Sequence, residues 1–105
     1  MGASATLGMV CSETMRATGK RHPFLIRYDV GVDGEGHILA LDLTLAADGG
    51  SVADHTPAVL TRALCHADNC YFLPNLRFRG LPCKTNTVSN TAFRGYGGPQ
   101  GMPKR

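Results

Sequence analysis

Two runs of strict period-two alternation shape the first half of the chain. Phe24, Ile26, Tyr28, Val30 and Val32 alternate with Leu25, Arg27, Asp29 and Gly31, the repeat of a strand with one buried face. Pro23 stands at its start, where a missing N–H does least harm. Asp33-Gly34-Glu35-Gly36 follows, a turn signature between alternating runs, so a β-hairpin is expected. The second strand, from about His37 to Ala46, puts Leu39, Leu41, Leu43 and Leu45 on one face as a core seam. Ile38, Ala40, Asp42 and Thr44 fall on the other. Leucine is a weak strand former, which makes a helix the rival reading, but the alternation of the polar residues favours the strand.

Ala47 to Ala53 reads as a loop pivoting on Gly49-Gly50. Thr56-Pro57 then signals a helix start, with Thr56 capping free N–H groups and Pro57 in the first turn. Val59, Leu60, Ala63, Leu64 and Ala67 form the apolar stripe of a short helix ending near Asp68. Arg62 and His66 lie one turn apart and share a polar face. Pro74-Asn75 marks a turn. Leu76 to Lys84 predicts a third strand, interrupted by Gly80 and Pro82 and therefore at a sheet edge. Residues 1–11 carry no readable signal, and residues 12–19 read as a polar lead-in. The expected fold class is α+β: a β-hairpin and a third strand with one short helix.

At 105 residues the chain is at most one small domain, burying roughly two thirds of its unfolded surface or somewhat less. Apolar residues make up 43% and charged ones 18%, a globular rather than a disordered composition. The net charge of +3 is modest. Basic residues are scattered except at Lys20-Arg21 and Lys104-Arg105, which argues against a nucleic-acid partner. No apolar run approaches a membrane span, and residues 1–10 lack the features of a signal peptide, so no membrane partner and a cytoplasmic location are expected. The four cysteines, Cys11, Cys65, Cys70 and Cys83, are even in number and could form disulfides. Without a secretory signal, reduced thiols are expected, with Cys65, Cys70 and Cys83 as small buried side chains. No Cys-x-x-Cys spacing supports a structural zinc site.

The candidate chemistry lies between Lys84 and Met102. Gly95, Gly97, Gly98 and Gly101 are interleaved with Phe93, Arg94 and Tyr96, and Asn86, Asn90, Thr91 and Gln100 add neutral polar groups. Glycine lets another molecule approach the main chain, so backbone N–H groups become available to an anionic or strongly polar ligand. Phe93 is the buriable aromatic, Tyr96 the exposed type, and Arg94 the single cation. Neither the Gly-Lys-Ser/Thr nor the Gly-x-Gly-x-x-Gly phosphate spacing is present. On residue type alone, Arg62 is a solvated surface charge, Tyr96 a half-buried loop aromatic and Arg94 a cation tied to a carboxylate. His22 reads as structural, and His66 either orients Arg62 or is exposed.

Taken whole, Asn90-Thr91-Ala92-Phe93-Arg94-Gly95-Tyr96-Gly97-Gly98-Pro99-Gln100-Gly101 resembles the molybdopterin-contacting loop of the xanthine dehydrogenase and aldehyde oxidase family. Two further blocks agree in order: Thr18-Gly19-Lys20-Arg21-His22-Pro23-Phe24, and Arg62-Ala63-Leu64 through Cys70-Tyr71. The resemblance runs from about residue 14 to 102 and implies one partial domain, residues 1–105, within a larger molybdopterin-binding domain. It implies a molybdenum hydroxylase that oxidises hypoxanthine or xanthine with oxygen from water, electrons leaving through molybdenum. Arg62 would contact the purine oxygen and Tyr96 would stack on its ring, although the family commonly has phenylalanine at the latter position. Arg94, Gly95, Phe93 and Gln100 would border the cofactor, the Arg94 backbone nearest molybdenum, and Asn90 would support the loop.

The resemblance places the general-base glutamate, the iron–sulfur clusters and FAD in other segments or subunits. This chain alone is therefore expected to be inactive. An arginine at position 62 favours the xanthine dehydrogenase side of the family. The alternatives are an aldehyde oxidase-type fragment, a noncatalytic remnant or interaction module, and simple anion or nucleotide binding by the glycine loop.

Overall fold

The computed structural model describes Ser12 and residues 16–102. Readings that fall on residues 1–11, 13–15 and 103–105, including Cys11 and Lys104-Arg105, lie outside the described residues. Strands β1 (Phe24–Val32) and β2 (Ile38–Gly50) form the expected hairpin, with Ile26 opposite Leu45 and Tyr28 opposite Leu43. Asp33 builds the turn: its carboxylate accepts the N–H groups of Glu35 and His37 at 3.0 and 2.8 Å. Those bonds, from His37 first, hold the Asp33 carboxyl below the usual carboxylate range.

Strand β2 does not stop near Ala46, and the segment read as a loop from Ala47 is strand through Gly50. The reason is non-local. Strand β3 (Leu76–Lys84) pairs parallel to β2 along its other edge, from Leu76 opposite Leu41 to Lys84 opposite Gly50. That partner satisfies backbone groups that would otherwise favour a loop. Gly80 and Pro82 do not interrupt β3, because an edge strand bonds on one side only.

Helix α1 (Thr56–Cys65) connects the parallel pair β2 and β3. It ends short of Asp68, and the turn beyond it includes Asn69 at φ 54°. Thr56 is not its cap. His55 occupies that position without a side-chain cap bond, and the Thr56 hydroxyl lies 2.8 Å from Nε2 of buried His22. A buried imidazole nitrogen without a partner is costly, and Thr56 meets Nε2, while Nδ1 has no partner among the described residues.

Leu60 and Leu64 of α1 lie over Gly80, where an added Cβ would come within 2.8 Å of Leu64 Cδ1. The core gathers Leu43 and Leu45 of the seam and Ala47 beyond it with Leu60, Ala63 and Ala67, while Leu39 of the seam is exposed. The expected buried face of β1 is largely uncovered: Ile26, Tyr28, Val30 and Val32 are all exposed. Helix α1 covers the β2–β3 half of the sheet, which leaves an apolar groove of about 900 Å³ over the β1 half. The opposite face is polar, with Asp42 paired to Arg77 at 3.3 Å and Arg79 at 3.2 Å. Cys65, Cys70 and Cys83 are free and exposed rather than buried, since they fall at the helix end, in the following turn and on the edge strand.

Candidate functional site

Beyond β3 the chain runs back along the end of β2. Thr85 N–H donates to Gly50 O (3.0 Å), Ser51 N–H to Thr87 O (3.1 Å) and Asn90 N–H to Gly49 O (3.0 Å). The Asn90 side-chain amide donates to Asp48 O at 2.9 Å and the residue is buried. Asn90 is therefore a tether for the loop. Gly50, at φ 79°, could carry no side chain, because its Cβ would fall 2.5 Å from Ser89 Cα and Val88 O.

The loop then makes a left-handed turn through Gly95 (φ 89°), Tyr96 (φ 47°) and Gly97 (φ 95°). For tyrosine that conformation costs about 1–2 kcal/mol. The turn folds the segment onto α1 and opens helix α2 (Gly98–Gly101). A Cβ on Gly97 would lie 2.1 Å from Val59 O, and one on Gly101 would lie 2.0 Å from Ala63 O. Two of the four glycines thus serve contact with the helix backbone, a use that glycine content alone did not reveal.

Arg21 organises the loop from the β1 side. Its guanidinium donates to Arg94 O at 2.7 Å and to Gln100 Oε1 at 3.4 Å. It also lies 4.7 Å from the centre of the Phe93 ring. Sequence reasoning assigned Arg21 no site role, although it sits in a block that carries the resemblance. Phe93, read as buriable, is 58% exposed beneath this cation. Arg94 is exposed, and its guanidinium forms no ion pair among the described residues, so the carboxylate expected for it is not there. The N–H groups of Ala92, Phe93, Arg94 and Gly95 have no acceptor among the described residues. They form a run of backbone donors beside a free cation, the chemistry that suits a polyanionic group.

Tyr96 turns toward the start of α1. Its hydroxyl lies 3.3 Å from His55 Nδ1, and the two rings meet edge-on, with centroids 6.1 Å apart and planes at 66°. His55 Nε2 is 3.9 Å from Asp54 Oδ1. The Thr91 hydroxyl holds Asp54 below the usual carboxylate range against an opposing desolvation effect. Arg62 lies in the second half of α1, seven residues after the cap residue His55, about 10 Å of helical rise. The glycine loop covers Val59 and Ala63, on the buried side of α1. Arg62 is exposed. His66 Nδ1 lies 3.0 Å from the Arg62 main-chain oxygen.

The structure thus brings Tyr96 to the start of α1 and lays Gly97 and Gly101 against Val59 and Ala63 of the same helix, which also carries Arg62. The large groove lies elsewhere; Gln100 and Arg21 line it, and Arg62 and Tyr96 do not.

The chain is similar to several known proteins. It is 54% identical over 90 residues to the xanthine dehydrogenase of Emericella nidulans, covering 86% of this chain and 7% of that protein. Its identity to the xanthine dehydrogenase of Dictyostelium discoideum is 57% over 88 residues, 84% of this chain and 6% of that one. The chain therefore spans well under a tenth of these relatives' length. Among solved structures, the aldehyde oxidoreductase of Desulfovibrio gigas superposes with a TM-score of 0.76 at 30% identity, covering 85% of this chain and 10% of that one. That likeness bears out the expected α+β class, a β-hairpin and a third strand with a short helix within a larger domain; the parallel pairing of β2 with β3 and the second helix α2 were not expected. The family model described as molybdopterin cofactor-binding domain matches residues 2–103, and the chain belongs to that family.

Proposed function

We propose that this chain forms one wall of the active site of a molybdenum hydroxylase that oxidises a purine, hypoxanthine or xanthine, with water as the oxygen source. Molybdenum–molybdopterin, when bound, supplies the two-electron acceptor for that oxidation. The residues present fit such a group: consecutive N–H donors from Ala92 to Gly95 and the free Arg94 cation suit its anionic part. Phe93 and Gln100, both held by Arg21, would border it.

Toward the substrate, Arg62 would donate a fork of hydrogen bonds to a purine oxygen and stabilise negative charge developing there. Tyr96 would present its ring face to the purine. The observation that supports the reading is the Tyr96–His55 contact, which sets the aromatic beside the start of the helix that carries Arg62. The general base and the other walls belong to segments outside this chain.

The test is a full-length enzyme in which residues 1–105 replace the matching segment of the Emericella nidulans relative. Purine oxidation is expected, with Arg62→Met lowering kcat/KM by about 10- to 100-fold, the worth of a charge-assisted hydrogen bond. A second reading, an aldehyde-oxidising enzyme, draws support from the likeness to the Desulfovibrio gigas aldehyde oxidoreductase. Aromatic aldehydes oxidised in preference to purines, with no response to Arg62→Met, would decide for it.

A further inference from the structure

We infer that His55 is a positioning residue for substrate specificity: its imidazole fixes the pose of the Tyr96 ring and keeps the phenol hydroxyl away from the substrate. This rests on the reading of Tyr96 as the stacking residue and goes beyond it, since a phenylalanine at that position would need no such partner.

The main chain does not fix the ring by itself. Tyr96 sits at φ 47° in a turn held by its own N–H on Phe93 O at 2.8 Å and by Gly97 against Val59, and these contacts leave its side-chain torsions free. Among the described residues its side-chain hydrogen bond is to His55 Nδ1 at 3.3 Å, and the edge-on ring contact at 6.1 Å acts in the same direction. His55 is in turn well anchored. Its carbonyl accepts Val59 N–H at 2.9 Å, the first bond of α1. Its other ring nitrogen faces Asp54 Oδ1 at 3.9 Å.

Asp54 is itself a non-glycine residue at positive φ, 40°, and is bonded by the Thr91 hydroxyl. A carboxylate beside Nε2 favours the tautomer with its proton there, leaving Nδ1 to accept the phenol O–H. Thr91, Asp54, His55 and Tyr96 thus form a chain of contacts that crosses from one end of the loop to the other over the start of α1. A phenol hydroxyl already engaged offers the substrate an aromatic face without a competing polar group.

In the full-length chimera, KM and kcat for xanthine would be measured for the parent, His55→Leu, Tyr96→Phe and the double variant. His55→Leu is expected to raise KM about fivefold, the worth of one neutral hydrogen bond, with kcat little changed. In the Tyr96→Phe background the same substitution should change KM by less than about twofold, because no hydroxyl remains to be held. Equal effects in both backgrounds, or none in either, would overturn the inference. Should the chimera oxidise no purine, the proposed function falls instead. Crystal structures of the parent and His55→Leu chimeras then decide: a Tyr96 ring that keeps its pose without His55 refutes the positioning role, and one that swings away supports it.

Discussion

Replacing Gly101 by alanine isolates the role of close approach between loop and helix. Gly101 is not among the glycines at positive φ, so its backbone accepts alanine without strain. Intrinsic helix propensity even favours the change, by at most about 1 kcal/mol. The obstacle is steric: the new Cβ would lie 2.0 Å from Ala63 O and 2.7 Å from Ala63 C, where real Cβ contacts essentially never fall below 3.0 Å. Both atoms belong to the backbone of α1 and cannot rotate away.

Helix α2 must therefore back off by about 1 Å, an overpacking that costs about 1–3 kcal/mol. With the full propensity gain set against it, the net loss reaches about 2 kcal/mol at most, up to roughly 30-fold easier local opening. Peptide-resolved hydrogen exchange on the full-length chimera reads this over residues 56–66 and 94–102. Gly34→Ala, with nothing within 4 Å of its Cβ, is the control. Gly80→Ala should fall between them, because it meets the ends of Leu60 and Leu64, which can turn aside. Exchange in Gly101→Ala no faster than in Gly34→Ala would refute the reasoning.

Leu45, fully buried in the seam, should cost about 2–5 kcal/mol on truncation to alanine, seen as faster exchange across β2 and α1. Arg21→Lys keeps the charge but loses the fork that reaches Arg94 O and Gln100 together, so residues 93–101 should exchange faster. Parent-like protection in that variant would show that charge alone suffices. Burial lowers the His22 pKa from its ordinary 6.5, against the opposing pull of Asp54 and Asp48. The unfolded chain thus takes up a proton that the folded one resists. Stability contributed by His22 is full above about pH 6.5 and declines as the pH falls through the lowered folded value. Denaturation of the chimera at stepwise pH should show this decline, and His22→Gln should remove it.

What the sequence determined by itself is the local part. Period-two alternation and the Asp33-Gly34-Glu35-Gly36 turn specify the hairpin, and the spacing of Val59, Leu60 and Ala63 specifies the inward stripe of α1. These patterns need no partner to be read, because each follows from the repeat of one element. The loop's identity was also legible, through the order of residues from Asn90 to Gly101.

Tertiary structure decided the rest. The length of β2 depends on a parallel neighbour some thirty residues further on, and the exposure of β1 depends on which half of the sheet α1 covers. Thr56 reads as a cap until the His22 imidazole arrives to take its hydroxyl. Gly97 and Gly101 read as open backbone until α1 lies 2 Å from where their side chains would be. Each of these outcomes turns on which distant atoms fill the space around a residue, and local periodicity does not encode that.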